Sequence, residues 1–357
     1  MENPLLELQE YENLQEALKK AKGPVQATGT LDSQKVHLMY WLGKDGGFPW
    51  KLVVTYDDQR AREIYDDFRS FTENVWLYPA KDLLFYSADI HGNLMTRQRI
   101  AVWRHLMEEK EGVVVTTLDG LMDHLLPLVF LKQQAVTVEN GQIMDLDEWK
   151  ERLTALGYER TAQVDGMGQF SIRGGIVDIF PLTEEVPVRI ELWDDEVDSI
   201  RSFDPESQRS VEQLEKITIY PSAETILTKK QLEAGIERLE KEEKEYEAAL
   251  RAKHQIEEAS RIRGIIKELT EGIRQGWKRD GLDAYIRYFC PETVSFLDYF
   301  PAGDTLICLD EPARLKEKGE TVEQEFRESM IHRLEKGYLL PGQTARFDIN
   351  VSIAFVK

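Results

Sequence analysis

Residues 29–37 read GTLDSQKVH. A phosphate-binding loop runs Gly, four residues, Gly, Lys, then Ser or Thr. Glycine lets backbone N–H groups approach phosphate, the lysine reaches the outer phosphates, and the hydroxyl holds magnesium. Gly29 and Lys35 stand at the right spacing, but Gln34 fills the second glycine position and Val36 the hydroxyl position. Gln34 puts a side chain where backbone must meet phosphate, Val36 has no ligating atom, and Asp32 adds a negative charge beside an anion site. The stretch is therefore either a chance spacing or the remnant of a nucleotide site, and on its own residues it reads as chance. No bound cofactor and no catalytic residue are expected.

A second candidate lies in PVRIELWDD, residues 187–195. Strict alternation sends Val188, Ile190 and Leu192 to one face of a strand and Arg189, Glu191 and Trp193 to the other. On the neighbouring strand Phe170 and Ile172 alternate with Ser171 and Arg173, which adds Arg173 to the polar face. A Trp beside an Arg on an exposed strand is a usual anchor pair of protein interfaces. The competing reading tucks Trp193 under a loop and pairs the arginines with Glu191 or Asp195. Asp194, Asp195, Glu196 and Asp198 invite a metal-nuclease reading, but aspartate favours turns and no histidine lies nearby in sequence. The cysteines are Cys290 and Cys308, with no CxxC, and the six histidines are scattered without ligand spacing, so no metal site is expected.

These residues need elements to position them. Before residue 131, KLVVTY (51–56), VWLYP (75–79) and GVVVTT (112–117) read as buried strands alternating with helical stretches at 4–21, 35–42, 57–71, 93–109 and 118–126. A further short strand is expected after Gly23-Pro24. That alternation predicts a parallel α/β sheet with helices on both faces. AVTVENGQIM (135–144) carries an Asn-Gly turn, residues 147–156 form an amphipathic helix, and 169–203 read as an antiparallel meander. From Thr228 the chain turns to long charged helix behind a Thr228–Gln231 capping box. VSFLDYF (294–300) reads as a helix end, DTLICLD (304–310) as a buried strand able to rejoin the first sheet, and Thr321–Gln324 as a second capping box. The boundaries are 1–134 for the first α/β part, 135–220 for an inserted α+β unit, 221–310 for the return to the α/β part, and 311–357 for a helical tail. The ending SIAFVK breaks off within an apolar alternation, which predicts further sequence beyond Lys357.

The chain has 357 residues, enough for two or three domains, and 42% of them are hydrophobic, enough for a real core. Its net charge of −20 disfavours stand-alone binding to nucleic acid. Without an apolar membrane-length run or a signal-peptide core, a cytoplasmic protein is expected.

QFSIRGGIVDIFPLTEEVPVRIELWDDEVDSIRSFDPESQRS (169–210) resembles the UvrB-homology region of bacterial transcription-repair coupling factors, the Mfd family. PAKDLLFYSADIHGNLMTRQR (79–99), DSQKVH (32–37) and the run from Phe203 to Glu224 are similar to the same family. The resemblance extends to about Asp310. It implies a P-loop NTPase-like α/β domain whose nucleotide loop is degenerate, interrupted by a small domain that recruits UvrA. It implies that Arg173, Arg189 and Trp193 match the UvrA-contacting positions, although other members often carry a different aromatic at Trp193. It further implies a motor, an RNA polymerase-binding domain and a C-terminal domain beyond residue 357, the last masking the UvrA face, with RNA polymerase and double-stranded DNA as partners of the full-length protein. No ATPase activity is expected of this stretch. The alternatives are a UvrB-type ATP-dependent damage-recognition helicase fragment and a DNA-holding scaffold.

Overall fold

A computed structural model of the chain describes residues 3–21, 23–81, 92–275 and 282–343. In chain order its elements begin α1 (Gln9–Lys20), α2 (Asp32–Asp45), β1 (Trp50–Thr55), α3 (Asp58–Phe68), β2 (Val75–Tyr78), α4 (Gly92–Glu108), β3 (Gly112–Thr117), α5 (Leu128–Gln134) and β4 (Val136–Glu139). Then follow α6 (Leu146–Ala155), β5 (Glu159–Arg160), β6 (Gln169–Arg173), β7 (Ile176–Ile179), β8 (Val188–Trp193), β9 (Glu196–Phe203), β10 (Ser210–Leu214) and β11 (Lys216–Ile219). The last are α7 (Lys229–Ala252), α8 (Ile256–Arg274), α9 (Ile286–Phe289), β12 (Thr305–Leu309) and α10 (Pro312–Glu335).

Four strands form a parallel sheet in the order β12-β1-β3-β2. β1 and β3 are buried along their whole length. Successive side chains of a strand point to opposite layers, so a sheet covered on both sides needs apolar residues at every position. Val53, Val113 and Val115 meet Val36 of α2 and Ile64 and Phe68 of α3, while Leu52, Val54 and Val114 join the layer that holds Ile100 and Trp103 of α4. Asp57 starts α3 by accepting a hydrogen bond from the Arg60 backbone N–H. The 304–310 run does rejoin this sheet, as β12 beside β1, and it is half-buried because it lies at the edge.

The meander is a six-stranded sheet in the order β10-β9-β8-β7-β6-β5, antiparallel throughout except where β5 meets β6. Trp149 and Leu153 of α6 pack in one core with Phe170, Val177, Ile190 and Ile200. β4 and β11 pair antiparallel from Val136↔Ile219 to Glu139↔Lys216, which brings the two ends of segment 136–219 side by side. Just past β11, Glu224 receives the fully buried Arg99 of α4 at 3.0 Å, and Arg99 also meets Asp123 at 2.9 Å. Thr228 and Gln231 form the expected capping box, after which α7 and α8 pack together through Leu239, Leu250, Ile262 and Ile266.

Four expectations fail locally. No strand follows Gly23-Pro24; the described residues 24–28 have no ladder partner and form no regular element. Residues 118–126 hold only a 3-10 turn, Leu118–Leu121. The 294–300 run is a 3-10 turn, Phe296–Tyr299, entered through a bridge from Val294 to Leu125. Thr321 is not a cap: it lies inside α10, where its hydroxyl donates back to the Glu317 carbonyl at 2.9 Å. Serine and threonine bond to a preceding turn as readily as they cap, so capping-box spacing alone misplaced that helix start. The SIAFVK ending and residues 82–91 of the 79–99 motif lie outside the described residues. No helix among the described residues is long and apolar enough to cross a membrane.

Candidate functional site

The residues of the opening motif do gather at one place. Gly29 takes a left-handed φ of 85°, and α2 begins at Asp32. Asp310 directly follows β12 and Arg60 lies in the first turn of α3, so the cluster sits at the carboxyl ends of the parallel strands, the usual ligand edge of an α/β sheet. Lys35 Nζ donates to Asp310 at 3.0 Å and pairs with Glu311. Arg60 Nε meets the other Asp310 oxygen at 3.1 Å, as does the Thr55 hydroxyl at 3.1 Å, and Arg60 lies 3.5 Å from Asp32. Burial pushes the Asp310 carboxyl up, but the hydrogen bonds from Lys35 and Arg60 outweigh it and hold the group below its ordinary value. Gln34 folds its side chain back to accept from the Leu31 backbone N–H at 3.2 Å, and Val36 is fully buried against the sheet. Each departure from the phosphate-loop pattern therefore has a structural occupation. A strand–loop–helix unit is incomplete here, because the described stretch before Gly29 forms no strand.

The second candidate is the polar face of the meander. Ladder partners share a face, which sets Arg173, Ile176, Glu191 and Ser199 in one row and Ser171, Asp178, Arg189 and Arg201 in the next. The opposite face carries Val177, Ile190 and Ile200 into the core. Asp194 takes a left-handed φ of 59° in the β8–β9 turn, in keeping with the turn reading of that acidic run. A register shift after Glu191 bulges the hairpin end. A bulge re-aims the side chains beyond it. Trp193, at this end, is 81% exposed.

The arginines do not pair with Glu191 or Asp195. Both bind Asp178, which is 1% exposed. Arg189 Nε donates to one Asp178 oxygen at 2.6 Å and its Nη2 to the other at 2.8 Å. The same Nη2 donates to the Gln208 side-chain oxygen at 3.0 Å, and the guanidinium lies 4.5 Å over the Phe203 ring. Arg173 reaches Asp178 through a single Nη2 bond at 2.6 Å. Glu191 pairs with Arg201 and accepts from Ser199 at 3.1 Å.

Three participants escaped the sequence reading. Asp178 carries a signal, since IVDI alternates and places it opposite Arg189. Gln208 carries none, because its reach depends on a left-handed φ of 60° in the 204–209 loop. Ile143 lies outside the meander, yet it bridges Glu196, which is also the ladder partner of Trp193, and it is 62% exposed. Ile143 and Trp193 thus flank Glu196 on one face as two exposed apolar side chains. Among the described residues no group of three His, Cys, Asp or Glu is arranged to hold a metal ion. His37 instead accepts from the Trp41 indole at 2.9 Å, and His105 stacks on Trp76.

The segment that carries this face, residues 136–224, matches the model of the UvrB interaction domain. A transcription-repair-coupling factor of Bacillus subtilis (strain 168) is 34% identical over 308 residues, 86% of this chain and 25% of that protein. Those of Staphylococcus haemolyticus and Staphylococcus aureus (strain MRSA252) are 30% and 32% identical over 82% of the chain. The chain belongs to the UvrB-homology region of the transcription-repair coupling factor family. It spans about a quarter of the length of the curated relatives it matches. The matched domain begins at Val136, the first residue of β4, and ends at Glu224, the residue that receives Arg99.

Proposed function

We propose that this stretch is a catalytically silent docking platform, which binds UvrA through the meander face and so recruits nucleotide excision repair. The observation that carries the reading is Trp193, a large indole left 81% exposed at the end of β8, on the same sheet as the half-exposed Arg173 of β6. A Trp–Arg pair held on a sheet is the usual composition of an interface anchor. In this reading segment 136–224 is a small α+β domain inserted in a P-loop NTPase-like domain that no longer uses ATP. The geometry around Lys35 supports that loss. Its amine is engaged by Asp310 and Glu311, and with Arg60 it faces the carboxylates Asp310, Glu311, Asp32 and Glu63, so no positive charge is left over for a triphosphate. RNA polymerase, double-stranded DNA, the motor, and masking of this face by a C-terminal domain belong to the full-length protein in the same proposal.

The test is a pull-down of purified UvrA by the chain, with R173E and W193A beside wild type. Retention by wild type and loss in both variants is the expected result, with a cost of about 2 kcal/mol or more per anchor. Equal retention by all three defeats the reading. The UvrB-type ATPase alternative predicts a higher melting temperature with Mg-ATP, since a ligand at about 100 times its Kd stabilises by about 2.7 kcal/mol; no shift is expected.

A further inference from the structure

The two arginines of the face are not equivalent, although both alternate outward from the sequence. Arg189 is 17% exposed in its side chain, spends Nε and Nη2 on Asp178, shares Nη2 with Gln208, and lies flat over Phe203. Little of that side chain reaches solvent. Arg173 is 47% exposed and commits a single bond to Asp178. Two guanidinium groups share one carboxylate, so the cluster keeps one unit of positive charge, and the accessible group that displays it is Arg173. Arg201 adds nothing to this balance, because Glu191 neutralises it.

We propose, resting on the UvrA-docking reading, that Arg173 and Trp193 are the partner-contacting pair and that Arg189 is a positioning residue. Arg189 keeps the buried Asp178 carboxylate paired, and Asp178 in turn aims Arg173 outward. The partner then offers one carboxylate to the free edge of the Arg173 guanidinium, beside an apolar socket for the Trp193 indole. A planar guanidinium with free donors suits a carboxylate taken through two hydrogen bonds, which an ammonium cannot match.

The division of labour is tested by a rescue experiment on the whole chain, measuring UvrA affinity and melting temperature together. R173Q weakens binding about tenfold or more with an unchanged melting temperature. R189Q alone lowers both, because the buried Asp178 carboxylate is left with the single bond from Arg173 and then neutralises the charge that Arg173 displays. In R189Q/D178N that carboxylate is gone, while the amide oxygen introduced at position 178 still accepts from Arg173. The double variant recovers the melting temperature and binds within about threefold of wild type, whereas R173Q/D178N stays about tenfold weak. If R189Q/D178N is stable yet as weak as R173Q, Arg189 touches the partner and the inference falls while the docking reading stands. If wild type itself does not bind UvrA, the docking reading falls and takes the inference with it.

Discussion

Replacing Asp310 by asparagine, D310N, probes what now fills the ligand edge of the parallel sheet. The Asp310 side chain is fully buried and accepts from Lys35 at 3.0 Å, Arg60 at 3.1 Å and Thr55 at 3.1 Å. Hydrogen bonds to charged groups contribute about 1.5–3 kcal/mol each, so the two cationic bonds together carry roughly 3–6 kcal/mol. The asparagine keeps one accepting oxygen, and Glu311 stays beside Lys35, so the expected loss is about 3 kcal/mol. At roughly 2 °C per kcal/mol for a chain of this size, the melting temperature drops by about 6 °C. The pH dependence gives a sharper check. The folded Asp310 carboxyl lies below its ordinary value of 3.8, so its contribution is present above that value and is lost as pH falls through the folded pKa. Urea unfolding of wild type and D310N should therefore show a full gap from pH 7 down to about pH 5, closing below 3.8. A gap under about 1 kcal/mol at pH 7, or one that stays constant into acid, would show that the cluster does not stabilise the fold through this carboxylate.

Other perturbations address the rest of the molecule. I143D should weaken UvrA binding several-fold with no loss of melting temperature, because Ile143 is exposed on the other side of Glu196 from Trp193; unchanged affinity would remove it from the face. Burial and then the neighbouring Glu247 hold the Glu243 carboxyl above its ordinary value, so its charged form costs stability at neutral pH and that cost is relieved as pH falls toward 4.5. E243Q should accordingly stabilise the chain by about 0.5–1 kcal/mol at pH 7, with the gain vanishing in acid unfolding experiments. A Cβ added at Gly235 would stand 2.0 Å from the Phe289 ring where α7 meets α9, so G235A should cost about 1–3 kcal/mol by calorimetry, against a near-neutral result if α9 can slide away.

Local chemistry alone announced much of this protein. Continuous apolar runs marked β1, β3 and β12, hydrophobic alternation marked β8, and aspartates marked the turn at Asp194 and the start of α3 at Asp57, because each of these depends only on near neighbours in the chain. The same alternation separated Arg173, Arg189 and Trp193 from the core face. Tertiary structure decided what those residues meet. Asp178 joins the two arginines because β7 lies between β6 and β8, and Ile143 reaches Trp193's edge only through a bridge to β9. Lys35 finds Asp310 because β12 returns beside β1, a contact spanning 275 residues. Periodicity is a property of successive residues and survives without a fold, whereas the pairing and burial of a charge depend on which distant strand becomes its neighbour. That is why the outward-facing arginines were legible from sequence, and why only the folded chain distinguishes the one held inside from the one left available.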